Sequence, residues 1–347
     1  MFVEIIKRLE SIYYYILVFF RNIFSSSRIN YDRIKIPTIR SNDSGFEISF
    51  KLARIIITDP KNYYVLDFSN CSKLSHNGTV LLGGLINYIH NQKFVTKEIY
   101  KKEILWTGVS ILQDTMSPVL VENLISNNFF DYFQNDRHLT PSKFNNGYTG
   151  YREHKSILDE IELTTYLENE WLSNDKLNLH FSKKSEIIST IIEIFMNAYG
   201  HGVLQQRYKK LGVYSCGEYD KREKKLHLSV LDFGIGIAQT VMKHSNITDE
   251  IEAMKWALIR GNSTNTDSQN KEIARGLGLA LLADFVKNNG GELRIYTNSV
   301  RSFSNKQSSF TISNNDYSFP GTLVSITINC DDRNDVNVSD SQPPNFF

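Results

Sequence analysis

The chain has 347 residues, enough for about two domains. Hydrophobic residues make up 41% and charged residues 22%, which excludes disordered, collagen-like and coiled-coil classes for the bulk of the chain. The formal net charge of +1 gives no global pull toward nucleic acid or anionic membrane, so no specific nucleic-acid partner is expected.

Cys71, Cys216 and Cys330 are widely spaced, with no CxxC pair and no disulfide framework. That pattern points to a reducing, cytoplasmic compartment and against a zinc site. The run Ile12 to Phe20 (IYYYILVFF) is too short for a spanning helix, which needs about 20 apolar residues. Glu4 and Glu10 spoil the basic region of a signal peptide. An apolar helix over 1–33 is expected, buried or at a dimer contact. Peripheral membrane contact through 12–24 is the alternative.

From Ile34 to about Phe133, strand-like and helix-like blocks alternate. Tyr63–Phe68 (YYVLDF) suits a buried strand, and 77–91 (NGTVLLGGLINYIHN) has helical spacing. Residues 103–106 (EILW) suggest a second strand, and 118–133 a further helix. Together they imply a small α/β unit over 34–135. The polar stretch 136–155, holding Pro141, Gly147 and Gly150, reads as a linker. Helices are expected at 156–169 and 184–200. A hairpin follows, with strands 212–219 and 226–232 around the charged turn 220–225. Further helices are expected at 249–260 and 277–288. Two last strands, 292–298 and 322–329, flank a Ser/Asn-rich insertion. The polar tail 331–347 reads as disordered.

Three patches in the second half carry chemistry. In the first, Glu193, Asn197 and His201 stand four apart twice over. On a helix they form one polar stripe among Ile192, Ile194, Phe195 and Met196. By itself this also fits a partly exposed amphipathic helix. In the second, the apolar run HLSVL leads into Asp232-Phe-Gly234-Ile-Gly236. A strand-end carboxylate can accept a hydrogen bond from an exocyclic amine, and the glycines let backbone approach a ligand. By itself this is also a plain βα turn. In the third, Arg275-Gly276-Leu277-Gly278 opens a helix and frees amides for phosphate. No Walker A lysine follows, and the dinucleotide spacing fails.

In this order and spacing the three patches resemble the GHKL (Bergerat-fold) ATPase superfamily. The resemblance covers about 156–330, and the first patch is closest to anti-sigma-factor serine kinases. It implies an α+β two-layer sandwich that binds ATP and Mg²⁺. Glu193 would polarise the attacking water or hydroxyl, and Asn197 would hold Mg²⁺. Asp232 would bind the adenine amine, supported by Thr322 after Pro320-Gly321. Gly234 and Gly236 would let the base lie against the turn, and Gly276, Leu277 and Gly278 would cap the phosphates. Lys271 and Arg275 are candidates for the γ-phosphate. The lid would fall within 237–275. His201 would steady the helix end.

A histidine kinase would need a phosphoacceptor histidine on a helical hairpin before the ATP domain, and His154 lies beside the linker without the apolar heptads of a dimerising hairpin. The stretch Val65–Gly78 resembles the STAS domain of anti-anti-sigma factors, but His76 stands at the position of the phosphoacceptor serine, with Ser75 beside it. The resemblances imply a bacterial regulator, expected as a homodimer. It would hydrolyse ATP slowly or phosphorylate a Ser or Thr of a protein partner, such as a STAS-like or sigma-like regulator. Lid ordering would control partner binding. A non-catalytic nucleotide sensor and a chaperone-like dimeric clamp in a defence or toxin-type operon are the alternatives.

Overall fold

The computed structural model describes residues 32–61, 63–92, 108–133, 148–154, 159–173, 181–203, 211–262, 278–308 and 310–330. Of the apolar helix expected over 1–33, Asp32 and Arg33 lie instead in the first strand, and residues 1–31 lie outside the described residues, as do the strand expected at 103–106 and the tail expected to be disordered. Among the described residues, no helix is long and apolar enough to cross a membrane.

The fold is mixed α/β. Its N-terminal unit runs β1 (Asp32–Lys35), α1 (Asp43–Thr58), β2 (Tyr63–Asp67), α2 (His76–Gln92) and β3 (Gly108–Leu112). The three strands form a parallel sheet in the order β1-β2-β3. Helix α1, not anticipated as a separate element, starts at Asn42, whose side chain accepts the Gly45 N–H at 3.0 Å. The helix expected over 118–133 is two helices, α3 (Pro118–Ser126) and α4 (Phe129–Phe133). Asn128, at φ 60°, breaks them apart.

The second unit is built on a five-stranded antiparallel sheet. In chain order its strands are β4 (Tyr148–His154), β5 (Val213–Asp220), β6 (Lys225–Asp232), β7 (Glu292–Asn305) and β8 (Thr311–Asn329). Their order in space is β4-β5-β6-β8-β7. Its helices are α5 (Glu160–Tyr166), α6 (Phe181–Asn197), α7 (Ile237–His244), α8 (Glu250–Ala257) and α9 (Gly278–Asn289). Short π-helical turns follow α5 and α6, the latter at Ala198–Val203.

Three expectations need correction. Residues 148–154 are not linker: they pair with β5 as the edge strand, so the second unit begins before 156. The stretch after Asp232 holds helix α7, where only a loop was expected. The Ser/Asn-rich insertion is not a loop but the outer half of a long β7–β8 hairpin, with Pro320-Gly321-Thr322 inside β8. That hairpin buries Ser302, Ser304 and Asn315, so its polar sequence hides its strand character.

Strand alternation divides the core in two. Leu226, Leu228 and Val230 of β6, with Val324, Ile326 and Ile328 of β8, face helices α5 to α9. Leu231, Tyr214 and Leu323 face the other way, into a cluster shared with α1, α2 and residues Ile34, Tyr64 and Leu66 of the parallel sheet. By itself the second unit is two-layered, and the N-terminal helices cover its remaining sheet face. Gly83 and Gly84 of α2 make this possible. A Cβ on Gly84 would lie 2.6 Å from Leu231 Cδ2, and one on Gly83 would strike the Tyr151 ring.

Candidate functional site

Strand pairing brings the central candidate residues together. Asp232 ends β6 directly opposite Thr322 of β8, and Thr322 is in turn opposite Thr297 of β7. Asp232 is buried, and its Oδ1 accepts the Gly234 N–H at 2.7 Å. Burial raises the carboxyl from 3.8 to about 7, opposed by hydrogen bonds from Gly234 and Thr322. Burial outweighs these hydrogen bonds.

Glycines shape the space around it. Gly321 has φ 123°, and a Cβ there would collide with the Asp232 carbonyl. Gly236 has φ 84° and closes the turn that leads into α7. A Cβ there would strike the Asn298 amide. No other residue type enters either position without strain.

Thr297 and Asn298 carry no motif and were not anticipated from the sequence. They sit on β7 where its register against β8 slips, and Asn298 has φ 53°. Thr297 Oγ1 accepts the Ile237 N–H at 2.8 Å and lies 3.3 Å from Thr322 Oγ1. Asn298 Nδ2 donates to the Ile235 carbonyl at 2.8 Å, and its Oδ1 accepts the Gln239 N–H at 3.2 Å. Gly236, the residue before α7, has no side chain to cap it, so these two neighbours satisfy the first amides instead. No local sequence signal marks them, because the bulge that places them appears only in the folded strand pair.

The first patch lies on α6, with Glu193 half-buried and Asn197 exposed. His201 falls in the π turn that follows, a turn packed against β5, β6 and β8. Helix α6 packs on α9, whose first residue is Gly278. The patch-one helix and the patch-three helix are therefore neighbours. Lys271, Arg275, Gly276 and Leu277 lie outside the described residues.

The N-terminal candidates are covered. Ser75 and His76 are both buried, His76 against Ser229 of β6 at 2.9 Å. His154 Nε2 bonds Ser215 Oγ at 2.8 Å, its ring packs edge-on against Phe195, and burial lowers it to about 3. A separate depression of about 270 Å³ at the start of α1, lined by Thr38, Arg40, Asn42, Ser44 and Ser72, contains none of the candidate residues. No family model and no curated protein matches the chain.

Proposed function

We propose that the second unit binds ATP with Mg²⁺ in the GHKL manner, and that the chain is a cytoplasmic bacterial regulator acting on a protein partner. The observation that carries this reading is Asp232. It is buried, its carboxyl is raised to about 7, and it stands at a strand end beside two glycines that admit no side chain. A planar base bearing an exocyclic amine satisfies such an acid, because the amine donates to the carboxylate that burial otherwise disfavours.

The other residues fit the rest of the nucleotide. Thr322 supports Asp232 from the facing strand. Asn197, exposed at the end of α6, would be an oxygen ligand for Mg²⁺, which takes few protein ligands and keeps phosphates and waters. Bound ATP supplies the phosphoryl group. Glu193, one helical turn before Asn197, would take the proton from the water or Ser/Thr hydroxyl that attacks the γ-phosphorus as the bond to ADP breaks. The proposed lid falls within 237–275, of which 263–275 lie outside the described residues, and its response to nucleotide would control the partner surface. Homodimerisation belongs to the same proposal.

Titration calorimetry of the full chain with Mg-ATP and Mg-ADP tests the reading. Binding at micromolar affinity, abolished by Asp232→Asn, supports it. An absence of affinity for either nucleotide overturns it. Glu193→Ala separates turnover from sensing: intact binding with no ADP formed assigns Glu193 to hydrolysis or transfer.

A further inference from the structure

We infer that Asn298 is a positioning residue for the base-binding turn, and that Glu250 extends its hold to the start of helix α8. The inference rests on the nucleotide reading above and adds a residue pair that no sequence motif contains.

The first part of the argument is geometric. The turn Phe233–Gly236 has no regular pairing of its own after β6 ends. Asn298 grips it from both sides, donating to the Ile235 carbonyl and accepting the Gln239 amide. A carboxamide donates from one atom and accepts at another, so a single side chain can hold two backbone groups of opposite kind. Asn is also among the few residues that tolerate φ 53°. The collision awaiting a Cβ at Gly236 shows how closely the amide lies against the turn.

The second part is connectivity. The residue after the bulge, Ser299, donates its N–H to Glu250 Oε2 at 2.8 Å. Glu250 Oε1 accepts from Gln239 Nε2 at 2.6 Å. Glu250 is the first residue of α8. One carboxylate thus ties the bulge, the first turn of α7 and the start of α8. A base pressing on the turn is felt at α8 through two hydrogen bonds, without a long path.

The third part is what the arm does next. Beyond the bulge, Arg301 of β7 pairs with Glu47 of α1 at 3.1 Å. Tyr296, just before the bulge, stacks on Phe46 and Phe50 of α1, with ring centroids 5.0 and 4.8 Å apart. The strand carrying Asn298 is therefore anchored in the N-terminal unit on either side of the bulge. The base-binding turn hangs from a strand whose position the N-terminal unit fixes.

Asn298→Gly is the informative variant, because glycine keeps the backbone conformation and removes only the amide. Amide hydrogen exchange reads the brace without any ligand. Exchange at Ile237 through Thr240 should accelerate at least tenfold in Asn298→Gly, and at Gln239 in Glu250→Gln to a smaller degree. Calorimetry reads the consequence. Affinity for Mg-ADP should fall about tenfold in Asn298→Gly, as expected from two lost hydrogen bonds, and the preference for ADP over GDP should fall with it. Asn298→Asp, which keeps the acceptor but not the donor, should fail to restore either. Unchanged exchange at 237–240 overturns the brace itself. Faster exchange with unchanged nucleotide preference, or an equal loss for ADP and GDP that tracks a fallen melting temperature, overturns the positioning role. Wild-type chain that binds no nucleotide overturns the nucleotide reading, a failure distinct from either.

Discussion

The rings of His76 and His227 stack across the junction of the two units, with centroids 4.8 Å apart and planes at 11°. His76 opens helix α2, and His227 lies in β6 with Nδ1 2.9 Å from Thr327 Oγ1. Burial is the main cause that lowers both imidazoles, His227 to about 4 and His76 well below 6.5. Lys73 opposes a charge on either ring, and Lys225 adds to this at His227, while Asp220 favours it there. Glu218, beside them, accepts the His76 backbone N–H at 3.3 Å and pairs with Lys73 at 3.4 Å.

That stack makes a pH prediction. The unfolded chain protonates these imidazoles near 6.5, and the folded chain does not until much lower pH. Their contribution to stability is thus complete above about 6.5 and is lost as pH falls toward 4. Urea unfolding of His227→Gln between pH 7 and 4.5 should show a shallower acid loss, smaller by on the order of 2 kcal/mol. A slope identical to wild type refutes the assignment.

Asp232 has the opposite sign. Its folded pKa of about 7 lies above the unfolded value of 3.8. The folded state holds the proton longer, so the carboxyl costs stability progressively from pH 4 to 7 and fully above 7. Asp232→Asn removes a charge that burial disfavours. Thermal melts should place the variant several degrees above wild type at pH 8 and level with it at pH 4.5. The same variant should lose nucleotide affinity, so that gain in stability and loss of binding come from one substitution. A melting temperature lowered at pH 8 contradicts this.

Gly84 sets the spacing between α2 and the antiparallel sheet, with Leu231 and Phe233, the neighbours of Asp232, on the other side. Gly84→Val must push these side chains or the helix aside, at a cost of about 1–3 kcal/mol. Since one core spans both units, scanning calorimetry should show a single transition that moves down as a whole. Two separated transitions in wild type would refute the shared core.

Arg294 fastens β7 to α1. Its guanidinium lies 5.6 Å from the Phe46 ring centre and 4.4 Å from that of Phe303, and pairs with Asp43 and Glu292. Asp43 is largely exposed, with 71% of its side chain accessible, against 14% for Arg294, so the ring contacts outweigh the ion pair. Arg294→Ala should cost about 2 kcal/mol and Asp43→Asn under about 0.5 in denaturant unfolding. Equal costs would favour the charge instead.

Much of the site could be read from the chain itself, and the reason is local. Asp232, Gly234 and Gly236 are adjacent, and their types are dictated by a strand end and a tight turn. Glu193 and Asn197 are one helical turn apart, a spacing that survives any tertiary context. The helix over 76–92 and the β5–β6 hairpin were likewise carried by short-range periodicity. Edge strand β4 was not, because Gly150 at φ 74° interrupts its alternation and all its partners lie in β5, far along the chain. The polar β7–β8 hairpin was not, because its serines and asparagines are buried by each other's strands and not by apolar pattern.

The sequence alone determined which side chains stand close enough, at a strand end and along one helical turn, to make candidates for a site, since type and short spacing are local properties. Only the tertiary structure decided that Thr322 faces Asp232, that Thr297 and Asn298 brace the turn, and that α1 and α2 cover the sheet's second face. Each depends on contacts between residues far apart in the chain, and no local preference encodes which distant partner a strand or glycine will meet.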